Sequence, residues 1–272
     1  MERIKKALEK ASQQREDALG SQILKPERPS EFTQAKVDDI KYQQTKSVTV
    51  TDATLKHNRV VAASLDDSHA DIFKILRTKI IQRMRANNWS VLAVTSPTAG
   101  AGKSFMSSNI AVSMAMDANY SVLLADLDLR RPSIHKYFGL EVGLGIRDYF
   151  EEGKSISELL IHPEIDSLVI LPAGNPIRRS SELLSTPKMQ ALASEFKDRY
   201  HNRIVIIDLP PLLHTDDAMM FMPNVDACVL VIAEGENSED EIKRSIQLID
   251  ETKFMGCILN KSTDVQTEKY YY

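Results

Sequence analysis

From about residue 68 onward, short runs of apolar residues alternate with longer amphipathic stretches. The runs are rich in Val, Ile and Leu along their whole length, which is typical of parallel strands buried on both faces. The stretches between them place apolar residues three and four positions apart, as on one face of a helix. Together they predict an α/β fold, a mostly parallel sheet with helices on both faces. The predicted strands are residues 90–94, 122–125, 168–171, 204–207, 227–232 and 254–259, and the predicted helices are 68–86, 104–116, 187–200 and 238–252.

The first predicted helix carries a stripe of apolar residues among charged ones. Spacings of three and four positions indicate that one face of this helix packs against the rest of the protein. The residues expected on that face are Ile72, Ile75, Leu76, Ile80 and Met84.

The chain before this helix has a different composition. Ile4, Leu8 and Ala11 recur at helical spacing among charged residues, which predicts an amphipathic helix that docks on a partner or on the protein's own core. Polar residues without periodicity follow, which is typical of a disordered linker. We therefore predict an N-terminal helix at 1–18, a linker at 19–60, a folded domain at 61–262 and a flexible tail at 263–272.

Charge and cysteine content exclude several classes of protein. The formal net charge is −4, so the chain as a whole lacks the positive charge that favours binding to nucleic acid. The two cysteines, Cys228 and Cys257, lie in predicted strands and are too few for a disulfide framework. No apolar run approaches the ~20 residues of a membrane-spanning helix, and the charged N-terminus is unlike a signal peptide. We therefore expect a cytoplasmic protein.

A phosphate-binding motif follows the first predicted strand. Residues 96–104 read SPTAGAGKS, close to the pattern G-x-x-x-x-G-K-[ST], with Pro97 in the place of the first glycine. In a strand–loop–helix context, the loop amides and the positive end of the helix bind phosphate, Lys103 reaches the β- and γ-phosphates and Ser104 ligates Mg²⁺. The nucleotide-binding residues expected in this loop are Ala99, Gly100, Ala101, Gly102, Lys103, Ser104 and Phe105.

Acidic residues follow two other predicted strands, at Asp126, Asp128 and Asp208. A carboxylate at the end of a buried strand is costly unless it binds a cation or hydrogen-bond donors. Because ligands of parallel sheets bind at the carboxyl ends of the strands, we expect all three beside the phosphate loop. Ser104, Asp126 and Asp208 are the predicted magnesium ligands, and one of Asp126 and Asp128 is expected to accept the proton of an attacking hydroxyl. Arg130 either balances charge near the phosphates, as a catalytic residue with Lys103, or forms a surface salt bridge.

These motifs resemble those of the bacterial tyrosine kinases, or BY-kinases, autokinases that control capsule and exopolysaccharide export. The resemblance covers roughly residues 70–272, and its most specific element is Asp126-x-Asp128-x-Arg130-x-Pro132. The family's Asp-x-Pro-Pro element begins here at Asp208. Further similarities are residues 180–185, the pair Asp217-Ala218 and the N-terminal residues 3–11, which are similar to cytosolic members linked to exosortase polysaccharide systems.

The resemblance implies a function, cofactors and partners. It implies a P-loop NTPase-like fold that binds ATP and Mg²⁺, with Asn260 contacting adenine, and that phosphorylates its own C-terminal tyrosines. It also implies a homo-oligomer, with a ring as one arrangement, and an integral-membrane polysaccharide co-polymerase that activates the kinase in trans. The protein would then be recruited to the inner face of the cell membrane by this partner.

Two positions depart from the family pattern. Leu209 stands where the family usually has Ser or Thr, which removes one hydroxyl expected near the metal. The family's oligomerisation pattern Glu-x-x-Arg-x-x-Arg appears as Asp71-x-x-Lys74-x-x-Arg77, and a lysine lacks the planar guanidinium that makes bidentate contacts. We therefore predict oligomerisation through these three residues with a weaker bidentate contact than the family pattern provides.

The C-terminal residues Tyr270, Tyr271 and Tyr272 are the predicted phosphate acceptors. They follow a polar segment, and the twelve residues from 261 to 272 extend at most ~40 Å, enough to enter a neighbouring subunit's site. A docking C-terminus is the alternative. Phosphorylation would add about −1.5 to −2 charges to each tyrosine, which should expel the tail and loosen an oligomer.

Two other functions are compatible with the motifs. Partitioning and site-selection ATPases share the deviant P-loop, but they carry a second lysine where this chain has Thr98. A scaffold that binds ATP without transferring phosphate is the other alternative, which the departure at Leu209 keeps open. Labelling with ATP discriminates among a kinase, an ATPase and a scaffold.

Overall fold

A computed structural model describes residues 45–64, 67–117, 119–198 and 203–262. The amphipathic helix predicted at 1–18, most of the linker at 19–60 and the tyrosine tail lie outside these residues. Within the part of the chain that is described, no helix combines the length and the apolar character needed to cross a bilayer.

Eight strands lie in the described residues: β1 (Lys46–Ser47), β2 (Val91–Thr95), β3 (Ser121–Asp126), β4 (Ile161–His162), β5 (Leu168–Leu171), β6 (Arg203–Asp208), β7 (Ala227–Ala233) and β8 (Phe254–Asn260). They form one sheet in the order β1-β4-β5-β3-β6-β2-β7-β8. Neighbouring strands are parallel except for the antiparallel pair β4–β5. All residues of β2, β3, β6 and β7 are buried, which explains why their sequences are apolar without alternation. The six strands predicted from the sequence are confirmed.

Helices cover both faces of the sheet, as predicted. Alternate strand residues point into two separate hydrophobic clusters, so that Ala93 belongs to one and Leu92 to the other. The helices are α1 (Asp52–His57), α2 (Ser68–Ala86), α3 (Lys103–Ala115), α4 (Ile134–Tyr137), α5 (Ile146–Glu151), α6 (Ile156–Leu159), α7 (Ser180–Leu184), α8 (Pro187–Asp198), α9 (Asp217–Phe221) and α10 (Glu239–Leu248), with 3₁₀ turns at Val61–Ala63 and Met222–Asn224. α2 and α3 pack with one cluster, and α8 to α10 with the other.

The stripe predicted on α2 is wrong at two of its five positions. Ile72 and Ile75 are 58% and 60% exposed, whereas Phe73 is buried. The ring of Phe73 makes an edge contact with Phe105 of α3, with 5.9 Å between ring centroids. This contact between helices sets the rotation of α2 about its axis, so the buried face is the one that carries Phe73, Ile80, Ile81 and Met84.

Folded structure also begins earlier than the predicted boundary at residue 61. β1 pairs with β4, and α1 begins after Thr51, whose side chain accepts a hydrogen bond from the Thr54 amide. Leu55 and Val60 are buried in the same cluster as α2 and α3. Apolar residues are sparse and irregularly spaced between residues 45 and 59, so this segment has little periodicity and its sequence pattern indicates a linker.

Candidate nucleotide-binding site

The loop between β2 and α3 has the backbone shape that a phosphate loop needs. Gly100 and Gly102 have φ values of 88° and 95°, the left-handed region that glycine adopts without strain. The Leu212 amide donates to the Ser96 carbonyl at 2.9 Å, and Asn237 Nδ2 donates to Thr98 Oγ1 at 2.8 Å. The loop is therefore held from two neighbouring segments before any ligand binds.

Lys103, the first residue of α3, lies in a cluster of oxygen atoms. Its Nζ is 2.8 Å from Asp128 Oδ2, 3.3 Å from Asp208 Oδ2 and 3.1 Å from Ser104 Oγ. Burial lowers the pKa of Lys103, but the charges of Asp208 and Asp128 outweigh it and raise the pKa above its usual value. The lysine is thus a fixed cation that bridges the ends of two strands.

Asp208 lies at the end of β6 and contacts α3 through side chains. Ser104 Oγ donates to Oδ2 at 2.5 Å and Ser107 Oγ donates to Oδ1 at 3.0 Å. Burial raises the pKa of this fully buried carboxyl, and the charge of Lys103 opposes the rise. A hydroxyl and a carboxylate side by side are the hard oxygen donors that Mg²⁺ prefers, so Ser104 and Asp208 fit this cation.

Asp126 and Asp128, both buried, face different partners. Asp126 Oδ1 accepts the Asp128 amide at 3.2 Å, and its Oδ2 accepts the amides of Ser133 and Ile134 at 2.9 and 3.0 Å. Burial and the charge of Asp208 raise the pKa of Asp126 to about 7. Asp128 turns its Oδ2 to Lys103, while its Oδ1 accepts the Arg131 amide. Only the second of these two carboxylates contacts the lysine.

Arg130, predicted near the phosphates, lies outside this cluster. Its guanidinium pairs with Asp217. The Arg130 Nη2 atom is 3.0 Å from Asp217 Oδ1, and Nε is 3.1 Å from Oδ2. The bidentate pair satisfies the guanidinium away from Lys103, so the alternative of a salt bridge describes its place better. Because Asp217 is 87 residues away in sequence, the motif alone could not identify this partner.

Asn260 joins the last strand to the phosphate loop. Its Nδ2 donates to the Ala101 carbonyl at 2.8 Å, and it stands so close to Gly102 that a Cβ there would overlap it. Leu209, in contrast, is fully buried among apolar core residues and does not face the lysine cluster. The Leu209 side chain therefore brings no hydroxyl to the cluster around Lys103.

The residues predicted for oligomerisation lie on α2. Asp71 and Lys74 form an exposed ion pair of 2.8 Å, with side chains 73% and 50% exposed. Arg77 NH1 instead donates to the Ser113 carbonyl of α3 at 2.8 Å. The three residues thus do not act as one unit in the single chain, and the structure leaves only the first two turned to solvent.

Ser107 belongs to the cluster around Lys103 and is not among the residues predicted from the sequence. Ser107 lies four residues after Lys103 on α3, one helical turn along the same face, and donates to Asp208. The spacing Lys103-x-x-x-Ser107 after the phosphate motif could have indicated it. The sequence motifs assign no role to Asp217 and Ser180.

The chain is similar in sequence to a known protein family and to proteins named as tyrosine kinases. The family model described as "ParA: NUBPL iron-transfer P-loop NTPase" matches residues 87–269, more than half of the chain. CapB of Staphylococcus aureus, a tyrosine-protein kinase by name, is 31% identical over 202 residues, which are 74% of this chain and 87% of CapB. The tyrosine-protein kinase Etk of Escherichia coli K12 is 28% identical over 208 residues, 76% of this chain and 28% of Etk. The chain thus spans little more than a quarter of that relative.

Solved structures agree with this assignment. The kinase domain of Escherichia coli Etk superposes with a TM-score of 0.70 at 26% identity, covering 84% of this chain and 92% of that domain. The chimerical protein CapA2B2 superposes with a TM-score of 0.69 at 27% identity, covering 83% of this chain and 98% of the chimera. The chain belongs to the bacterial tyrosine kinase family, within the ParA-type P-loop NTPases.

Proposed function

We propose that this protein is an ATP- and Mg²⁺-dependent protein-tyrosine kinase that phosphorylates Tyr270, Tyr271 and Tyr272 of its own chain. The observation that carries the proposal is the contact of one lysine, Lys103, whose side chain is 12% exposed, with carboxylates from two strand ends. Phosphoryl transfer requires positioning and charge neutralisation more than covalent chemistry, and this cluster supplies both.

The phosphate loop and Lys103 bind the nucleotide in this proposal. Amides of residues 99–104 hold the phosphate oxygens, and Asn260, already bonded to the loop, is the residue proposed to contact adenine. Ser104 and Asp208 would hold Mg²⁺, with Asp126 completing its surroundings. When bound, the cation neutralises charge on the transferred phosphoryl group.

Asp128 is the proposed general base. Its carboxylate contacts Lys103 and is 6% exposed, so a tyrosine hydroxyl delivered to the lysine-bound phosphate would also meet Asp128. Lys103 holds this carboxylate ready to accept the hydroxyl proton. Asp126, whose oxygens accept three backbone amides, fixes the loop on which Asp128 is carried.

We propose that the tail enters the site of a neighbouring subunit in a homo-oligomer. The last strand ends at Asn260, beside the phosphate loop, so the tail begins close to the candidate site. Ten residues from 263 to 272 reach about 33 Å, which is sufficient for a neighbour. The exposed Asp71 and Lys74 on α2 are the proposed contacts between subunits.

The family resemblance supports a role in regulating exopolysaccharide or capsule synthesis and export. In this role a transmembrane polysaccharide co-polymerase activates the kinase in trans and recruits it to the inner face of the membrane. The amphipathic helix at 1–18 is the proposed adapter for that partner. A pull-down that recovers the membrane partner equally well after deletion of this helix would contradict the adapter role.

Incubation with γ-labelled ATP and Mg²⁺ tests the function. We expect label on tyrosine in the unaltered protein and its loss when Tyr270, Tyr271 and Tyr272 are all changed to Phe. The matched control is Tyr120→Phe, which changes a tyrosine far from the tail in the sequence and should leave the label unchanged. Release of free phosphate without labelled tyrosine would indicate a partitioning-type ATPase instead, and neither product would indicate a scaffold.

A further inference from the structure

An ion pair between an exposed arginine and a buried aspartate lies beside the candidate site. Arg130 contacts Asp217 through two nitrogen atoms at 3.0 and 3.1 Å, and its Nε also donates to Ser180 Oγ at 3.0 Å. Ser180 Oγ in turn donates to Asp217 Oδ2. Asp217 and Ser180 are fully buried, whereas the Arg130 side chain is 38% exposed. We call these three residues the arginine latch.

The latch joins three segments that are distant in sequence. Arg130 belongs to the loop after β3, Ser180 begins α7 and Asp217 begins α9. The same loop is also tied by the Ile177 amide, which donates to the Leu129 carbonyl at 2.8 Å. The latch therefore holds the loop two residues beyond Asp128.

The chemistry of the latch favours a rigid contact. A buried carboxylate needs a compensating cation, and breaking such a pair by removing one partner is strongly destabilising. A planar guanidinium matches the two carboxylate oxygens, and a lysine cannot reproduce this fork. Ser180 fixes the orientation of the carboxylate by bonding to one of the same oxygens.

We propose that Asp217 and Ser180 are positioning residues for phosphoryl transfer, which hold Arg130 and, through it, the loop that presents Asp128 to Lys103. The inference rests on the proposed kinase function and extends it to two residues with no contact to the lysine cluster. In this view Arg130 links α7 and α9 to the loop, and it does not bind phosphate.

The neighbouring Asp216 provides a matched control. Its Oδ1 lies 3.6 Å from Arg130 NH2, but its side chain is 51% exposed. A screened, exposed contact contributes little, so Asp216→Asn should change the labelling rate less than twofold. Asp217→Asn removes the buried charge and should lower kcat for tyrosine labelling at least tenfold, with the Kd for Mg-ADP changed less than threefold. Ser180→Ala keeps the ion pair and should lower kcat by about threefold.

Coupling between the partners separates the latch from a general loss of stability. Arg130→Ala leaves Asp217 buried without its cation, so adding Asp217→Asn in that background should not lower kcat further and should raise the melting temperature. Two losses of kcat that multiply in the double variant would contradict the latch. Equal losses in Asp216→Asn and Asp217→Asn would contradict it as well.

Hydrogen exchange measures the positioning directly and does not depend on kinase activity. Amides of residues 127–131 should exchange faster in Asp217→Asn and in Ser180→Ala than in the unaltered protein, and no faster in Asp216→Asn. Unchanged exchange in folded Ser180→Ala and Asp217→Asn would overturn the latch. Failure of the unaltered protein to label tyrosine would instead overturn the proposed function, so the two failures are distinguishable.

Discussion

Asp126 and Asp208 are register partners on the neighbouring strands β3 and β6, yet they are bonded in opposite ways. The oxygens of Asp126 accept three backbone amides from the loop that follows its own strand. Those of Asp208 accept two serine hydroxyls and face a lysine, all from α3. Both carboxyls are buried, and burial raises the pKa of each.

The difference shows how one sheet edge serves two purposes. Amide donors are fixed by the backbone, so Asp126 stabilises a loop shape and places Asp128 at Lys103. Side-chain donors can exchange partners, so Asp208 can release Ser104 when a cation binds. Position at a strand end therefore does not determine a carboxylate's role, whereas the type of donor around it does.

Lys103→Met removes the cation that Asp208 and Asp128 share, and we expect the largest effect from it. Tyrosine labelling should fall at least about 1,000-fold, since the phosphate loses a pre-positioned positive charge. The initial labelling rate measures this, with Lys136→Met, an exposed lysine on α4, as the control. Labelling at the unaltered rate in Lys103→Met would refute the assignment of the site.

Substitutions of Asp128 and Asp126 by Asn test the two roles against each other. Asp128→Asn should lose about 100-fold or more in rate, with little change in nucleotide affinity or melting temperature, because it removes a base. Asp126→Asn turns an NH₂ group toward backbone N–H donors, so it should also lower the free energy of unfolding by about 2 kcal/mol.

Labelling rates, Mg-ADP affinities and chemical denaturation of the two variants check this prediction. If both variants lose the same rate and the same stability, the assignment of separate roles is wrong.

Gly102→Ala disturbs the side of the comparison that α3 provides. The new Cβ overlaps Asn260 Nδ2 at a residue with a φ of 95°, so the Asn260 side chain should rotate away and lose its hydrogen bond to the Ala101 carbonyl in the loop that precedes α3. We expect a loss of about 2 kcal/mol in stability and a weaker affinity for Mg-ADP. Gly235→Ala, at a φ of 75° with no heavy atom within 4 Å of its Cβ, controls for backbone strain alone. Equal nucleotide affinities of the two variants would contradict the overlap with Asn260.

Two adjacent buried serines of α3 provide the smallest test. Ser107→Ala removes one hydrogen bond to Asp208 and should cost about 1 kcal/mol, measured by denaturation. Ser108 Oγ has no hydrogen-bond partner among the residues that the structure describes, so Ser108→Ala should be neutral or slightly stabilising. An equal or greater cost for Ser108→Ala would contradict the stabilising role assigned to the bond between Ser107 and Asp208.

The sheet and the cluster around Lys103 could be predicted because their signals are local. Strands buried on both faces need unbroken apolar runs, and a phosphate loop needs its glycines and lysine at fixed spacing. The exposure of Ile72 could not be predicted in this way, because the rotation of α2 depends on its contact with Phe105 of another helix.

The roles within the Asp-x-Asp-x-Arg element depend on distant groups. The amides of Ser133 and Ile134 donate hydrogen bonds to Asp126, and the carboxylate of Asp217 pairs with Arg130. The spacing of the element gives no sign of either contact. The sequence therefore predicts all three of its charged residues near the phosphates. Their division into loop support, lysine contact and latch is visible only in three dimensions.

Calorimetric titration of ADP, with and without Mg²⁺, tests the central claim that Lys103, Asp128 and Asp208 form one magnesium-nucleotide site. The account predicts binding at one site per chain in the unaltered protein, at least tenfold tighter with Mg²⁺, and no heat of binding in Lys103→Met under the same conditions. Equal affinity with and without the cation, or equal heats in both proteins, would contradict it.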